Sequence, residues 1–481
     1  MKHWKQLHRI LGTILAPLFV LWLISGSVMI FSSYPRLGDA ADRVADTIPE
    51  LLPPLDSVRS RLPEGERCTA LALGTTYGVP TFTIETDSGT RLTLRADSTL
   101  APVDPKAMPE EWCRSYAARF SSYPVARIDT LRSIDTWTAY ERNKKELPIY
   151  RFVFDDPEGT WLYLSGRSGR ALQCCTKRER IVSSLGTVPH MFYYPGLRSN
   201  RALWVWVVSL LGALGGVMCL SGLVVGIHMV IRHYRRRHRL GSPYSGTFRW
   251  HHIAGCLFGL SLMLFALSGA SSLVDLSDFP TPRHDKSLAK RSRAEDPVDL
   301  SLFATDYRQL AARGGVTGIV WRQYGTKPYY EVTYGERSET LDGSDPSLAP
   351  LWLTESDLRG KLEPVFGSPM RIELIDEYDN YYAYNRGDYE LPIYRVSVED
   401  ADGSRLYVSP TAGGYSRYFS RNDRLQKWLY PFCHNLRSKF FSEHGTVRLV
   451  AMLTLVLGGL VVSVTGVVMG WRYLRRLTRR K

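Results

Sequence analysis

The sequence predicts a membrane protein of four transmembrane α-helices, generated by a tandem duplication, with two extracytoplasmic α+β domains. Three observations predict it. Apolar runs at 10–31, 203–231, 253–274 and 447–469 are each long enough, at about 1.5 Å per residue, to cross a hydrocarbon core of roughly 30 Å. Three stretches rich in Lys and Arg and free of Asp and Glu flank those runs. The second half of the chain also repeats the first, at an offset of 243 or 244 residues.

Charge sets the orientation. The formal net charge of +14 is concentrated at three places: Lys2, Lys5 and Arg9; Arg232, Arg235, Arg236, Arg237, Arg239 and Arg249; and Arg472, Arg475, Arg476, Arg479, Arg480 and Lys481. Cationic flanks stay cytoplasmic. Both termini and the 232–249 loop are therefore expected on the cytoplasmic face, in contact with membrane lipid, and the long segments 32–200 and 275–445 on the far side of the membrane. The basicity is a topology signal. A nucleic-acid partner would need a folded basic recognition module, and the sequence offers none.

In chain order, helix 1 (1–31) has an apolar core longer than the roughly 7–15 residues of a signal-peptide h-region, with no small-residue cleavage site after it, so it is retained. The first outer domain (32–200) opens on a polar, Pro-containing and partly helical stretch at 40–62. Residues 81–97 then alternate polar and apolar about a Ser-Gly turn, as a β-hairpin does. Helical periodicity follows at 109–120, and a stronger hairpin at 146–172. Helix 2 spans 201–231, the basic loop 232–249 and helix 3 250–274. The second outer domain (275–445) repeats the plan with a hairpin at 329–341, a helix at 354–366 and a hairpin at 390–414. Helix 4 (446–471) and the basic tail (472–481) close the chain.

The seven cysteines form no CxxC or His/Cys metal pattern. Cys68, Cys113, Cys174, Cys175 and Cys433 fall in the outer segments, where a Cys68–Cys113 disulfide is one option. Cys219 and Cys256 read as packing residues within helices.

The repeat holds at residue level. His8, Gly12 and Ser25-Gly26 fall on His251, Gly255 and Ser268-Gly269. Ala139-Tyr140-x-Arg142 falls on Ala383-Tyr384-x-Arg386, and Glu146-Leu-Pro-Ile-Tyr-Arg151 on Glu390-Leu-Pro-Ile-Tyr-Arg395. His190 falls on His434, each shortly before the next membrane helix. Internal repeats of this kind build pseudo-symmetric membrane cores with sites at the repeat interface.

The His-x3-Gly helix starts, the Ser-Gly helix ends, the LPIYR strands leading into YLSGRSGR or YVSPTAGG, and the His before each second helix together resemble the PepSY-associated transmembrane family over nearly the whole chain. The chain departs from the usual PepSY turn in having Ser165-Gly166 and Ser409-Pro410 where that turn has an acidic residue before Thr-Gly. The resemblance implies PepSY-like outer modules and b-type haem between the helices. It also implies kinship with inner-membrane reductases of ferric siderophores.

Haem iron in a bundle is held by imidazoles from facing helices. A pseudo-two-fold would bring His8 to His251 on the cytoplasmic side and His190 to His434 outside, one haem b for each pair. A lone histidine at a membrane edge is more often an amphipathic anchor; recurrence in two equivalent pairs sets these four apart. His228, whose repeat partner is Arg472, and His252 stand in reserve. Arg142 and Arg386, with Tyr140 and Tyr384, are candidates for haem propionates or an anionic ferric chelate; equally, the arginines pair with Glu146 and Glu390. Gly215-Gly216 and Gly458-Gly459 allow close helix packing or leave room for a flat macrocycle.

The expected function is electron transfer across the inner membrane to a periplasmic acceptor, reducing ferric siderophores. No Gly-rich nucleotide fingerprint occurs, so a cytoplasmic reductase or quinol supplies the electrons. A non-enzymatic PepSY module that binds or regulates periplasmic proteins is the competing class. A transporter is a third reading, weakened by helices without acidic residues.

Overall fold

Among the described residues, four helices are long and apolar enough to span a membrane: α1 (Lys2–Phe31), α2 (Arg201–Arg237), α3 (Gly246–Ser271) and α4 (Gly445–Thr478). The computed structural model describes residues 1–37, 46–76, 78–103, 110–335, 337–382, 390–414 and 416–479. The helices form a ring in chain order, α1 against α2, α2 against α3, α3 against α4 and α4 against α1. Leu15, Phe19 and Leu23 of α1 meet Met218 and Cys219 of α2, Leu262 and Ala266 of α3 and Val456 of α4 at the centre. The two glycine pairs close this ring. A Cβ at Gly215 would stand 2.7 Å from Phe19 and one at Gly459 2.8 Å from Leu262, while Leu267 and Phe258 occupy the equivalent space at Gly216 and Gly458. Side chains, not room for a macrocycle, explain these glycines.

The helices run past their apolar stretches into their basic ends, and those ends gather together. Arg9 lies 4.7 Å over the Tyr473 ring, and Arg472 donates to Thr247 Oγ1 at 3.4 Å.

The described residues outside the bundle hold three antiparallel sheets. The first half contributes β1 (Cys68–Thr76), β2 (Val79–Thr86), β3 (Arg91–Arg95), β4 (Val125–Leu131), β5 (Ile149–Phe154), β6 (Trp161–Ser165) and β7 (Ala171–Cys175). The second contributes β8 (Gly318–Tyr324), β9 (Lys327–Tyr334), β10 (Arg337–Asp342), β11 (Met370–Ile375), β12 (Ile393–Val398), β13 (Arg405–Val408) and β14 (Ser416–Phe419). The hairpins expected from alternation are β2–β3, β5–β6, β9–β10 and β12–β13. The expected helices are Glu110–Phe120 and Glu355–Phe366, the latter opened by a Thr354/Asp357 capping box. Such a box satisfies two of the backbone N–H groups that a helix start leaves without partners. Within 40–62 only Leu55–Arg59 is helical among the described residues.

Segments 32–200 and 275–445, expected as two outer domains, share a six-stranded sheet of order β10-β9-β8-β1-β2-β3. It is joined where Leu71 pairs with Trp321, Ala72 with Val320 and Leu73 with Ile319. Leu71, Leu73, Phe82, Ile319, Trp321 and Tyr330 lie in one core beneath it. An unpaired β1 would present a row of bare N–H and C=O groups; β8 covers that edge. The outer four-stranded sheets, β4-β5-β6-β7 and β11-β12-β13-β14, are separate and have the same order. All seven cysteines are free thiols. Cys68 belongs to the shared core and Cys113 to the core under β5 and β6, so these two do not pair.

Candidate functional site

His8 on α1 and His251 on α3 come from diagonally opposite helices, with ring centroids 6.0 Å apart. Each is tied to the neighbouring helix. His8 Nδ1 donates to the Met218 carbonyl of α2 at 3.0 Å. His251 Nδ1 lies 3.0 Å from the Val462 carbonyl of α4, with Thr465 Oγ1 also at 3.0 Å. Both rings rest on glycine. A Cβ on Gly222 would stand 2.6 Å from His8 Cε1, and one on Gly466 3.5 Å from His251 Cε1.

The second pair is built differently. His190 lies in the short helix Thr187–Met191 and His434 in Cys433–Asn435, both delivered from outside the bundle. Left-handed residues end both helices, Phe192 at φ 53 and Leu436 at φ 51, and turn the chain toward α2 and α4. The ring centroids are 6.2 Å apart. His190 Nδ1 donates to Trp22 O at 3.1 Å, with Ser25 Oγ at 3.2 Å. His434 Nδ1 donates to Phe265 O at 3.1 Å, with Ser268 Oγ at 3.1 Å. Gly26 and Gly269 face the two rings, where a Cβ would come within 3.2 Å of each. Seventeen residues of α1 separate His8 from Ser25, about 25 Å along the helix.

The four imidazoles thus share one chemistry. A carbonyl only accepts, so Nδ1 carries the proton and Nε2 keeps its lone pair, the arrangement that metal-bound histidines adopt. No hydrogen bond occupies Nε2 of any of the four among the described residues. With metal–nitrogen bonds of about 2.0–2.1 Å, two imidazoles on one metal hold their centroids about 6 Å apart. Both pairs have that separation, so His8 with His251 and His190 with His434 would fit an iron held between two imidazoles.

The reserve histidines differ. His252 spends both nitrogens, on Ser242 Oγ at 2.9 Å and Gly226 O at 3.0 Å, and is buried; it ties α3 to α2. His228 is exposed on α2. Arg142 lies 5.0 Å over the Tyr140 ring. It does not hold Glu146, whose carboxylate accepts from Ser165, Ser168 and Arg170. Burial pushes the Glu146 carboxyl up, but those hydroxyl bonds and the Arg170 charge outweigh it and leave it below the ordinary range. Tyr384 and Arg386 lie outside the described residues.

Sequence reading missed the carbonyls of Met218 and Val462 and the seats Gly222 and Gly466. A signal existed: these pairs stand at the repeat offset of 244 on α2 and α4. Backbone acceptors leave no trace in residue identity. Searches of protein-family models and of curated proteins find no match for this chain.

Proposed function

We propose that this chain is a bacterial inner-membrane protein of the PepSY-associated transmembrane type, a tandem duplication that carries electrons outward to a ferric siderophore. One observation carries the reading: two facing imidazole pairs, each with Nδ1 committed to a carbonyl and centroids about 6 Å apart. Haem b, when bound at each pair, would supply reversible one-electron chemistry. His8 and His251 would hold the inner group, and His190 and His434 the outer one.

The chain's own contribution is position and shielding. Helix carbonyls fix four imidazoles in one tautomer, so little rearranges on ligation. Phe19, Leu23, Leu262 and Val456 keep water out of the space between the two levels. The basic helix ends gather on the side of His8 and His251, which the positive-inside rule assigns to the cytoplasm; a reductase or quinol would deliver electrons there. The sheets, on the side of His190 and His434, would meet the acceptor.

The test is the visible spectrum of the detergent-solubilised protein from haem-replete cells. The expected result is a Soret band, two haems per chain by pyridine haemochrome, and reoxidation of the dithionite-reduced protein by a ferric siderophore. A colourless protein would remove the reading and leave the periplasmic binding module.

A further inference from the structure

The two outer sheets present the same face to different surroundings. In the first half that face is closed by the chain leaving α1. Tyr34 stacks on Trp137 at 6.0 Å and donates to Thr136 O. Gln173 holds Pro35 O at 3.0 Å, and Ser183 lies 3.4 Å from Ser33 O. Trp161 completes the cover.

Strand register identifies the counterparts. Tyr163 opposes Gln173 on β6–β7 as Tyr407 opposes Arg417 on β13–β14, and Trp161 stands where Arg405 stands. Asp135 takes the Trp137 amide and the Tyr163 hydroxyl as Asp379 takes those of Tyr381 and Tyr407. Capping boxes at Thr176 and Ser420 align Ser183 with Lys427. Indole, amide and hydroxyl have thus become Arg405, Arg417 and Lys427. The chain leaving α3 is instead held by Asn422, through Ser277 O and Thr281 O.

These cations crowd one another. Arg405 lies 5.4 Å and Lys427 5.8 Å from the Tyr381 ring centre. Burial pulls the Lys427 ammonium down, Asp379 partly restores it, and Arg437 and Arg417 lower it again, to about 8. Among the described residues no carboxylate lies within 4.0 Å of Arg405, Lys427 or Arg437. Asp379 is taken by two amides, Tyr407 and Arg395, and the buried Nε of Arg405 has no hydrogen-bond partner. Concentrated positive charge on a half-buried face is stable only with an anion to answer it.

We infer that this face of the second outer sheet is a binding site for an anionic metal chelate, one whose carboxylate or catecholate oxygens meet Arg405 and Lys427. Lys427 stands seven residues before His434 in one helical run, about 10 Å along it. A chelate bound there lies beside the outer imidazole pair. The inference deepens the proposed function by stating the charge class of the acceptor and its place; binding itself does not depend on electron transfer.

Gallium chelates separate the two, because gallium(III) accepts no electron here. The intact protein in detergent is titrated calorimetrically with gallium citrate and with a neutral gallium trihydroxamate. The expected result is binding of the citrate chelate that weakens with salt, with Lys427→Gln and Arg405→Gln each raising Kd about tenfold. Lys427→Arg should restore binding, and Arg178→Gln, an exposed charge on the first-half helix, should leave it unchanged. Equal Kd in wild type, Lys427→Gln and Arg405→Gln, or equal binding of the neutral chelate, would overturn the site and leave the electron-transfer reading standing. Intact gallium binding without siderophore-driven reoxidation would do the reverse.

Discussion

The inner and outer histidine pairs have nearly the same ring separation and opposite origins. His8 and His251 sit on α1 and α3 and are fixed by α2 and α4, so the bundle alone builds their site. His190 and His434 arrive on short helices that follow the outer sheets and only lean on α1 and α3, through Trp22, Phe265, Gly26 and Gly269. The difference teaches that one site depends on helix packing and the other on the sheets holding their shape. The two should therefore fail separately.

The largest expected effect is loss of one site at a time. His8→Ala or His251→Ala should take haem content from two per chain to one and leave the outer site loaded, and His190→Ala or His434→Ala the converse. His228→Ala should change nothing. Full loading in both His8→Ala and His251→Ala would break the comparison outright.

Next comes a difference inside the inner pair. Gly222→Ala places a methyl 2.6 Å from His8, whereas Gly466→Ala meets His251 at an ordinary 3.5 Å. Overpacking of this kind costs about 1–3 kcal/mol. Gly222→Ala should lower haem retention and the thermal midpoint, and Gly466→Ala neither. Equal loss in both variants would show that the seats are not what positions the rings.

Acid should sharpen the contrast between levels. The bundle helices α1–α4 contain no Asp or Glu. In the sheets, the Glu146 carboxyl is held low as described. For Asp379 burial raises the value, and hydrogen bonds from Tyr382, Tyr407, Tyr381 and Arg395 more than reverse it. A depressed carboxyl contributes stability above its ordinary value and loses it as pH falls through the folded one. Between about pH 5 and pH 3, haem should therefore leave His8→Ala protein, which keeps only the outer site, before it leaves His190→Ala protein. Release in the opposite order, followed by Soret absorbance, would contradict the dependence on the sheets.

The smallest effect is expected at Ser25 and Ser268. Each hydroxyl shares a histidine Nδ1 that already has a carbonyl partner, so Ser→Ala should cost about 1 kcal/mol or less in a thermal melt. A larger loss would mean that the hydroxyl, not the carbonyl, sets the tautomer.

The four spans, the hairpins and the equivalence of His8 with His251 and of His190 with His434 were legible because each is written in residue identity at short period or fixed offset. The union of the outer segments was not. In β1, Leu71 and Leu73 alternate with Ala70 and Ala72, a weak contrast. Their partners Trp321 and Ile319 lie about 250 residues away, where no local pattern reaches. The Nδ1 acceptors escaped for a different reason, since Met218 and Val462 act through backbone that any residue could supply. Arg142 misled because Glu146 stands four residues on, yet that segment is a 3₁₀ turn and its carboxylate faces the β6–β7 turn.

The seam between β1 and β8 has a further consequence. Leu71 lies opposite Trp321, Leu73 opposite Ile319, and Ala72 meets Val320 at the midpoint. This is how one subunit meets its copy in a closed two-fold assembly, except that here both faces are written separately in one chain. A true homodimer must change both sides of such a seam whenever it changes one. This chain is released from that constraint, and one half can keep an indole at Trp161 while the other carries a guanidinium at Arg405.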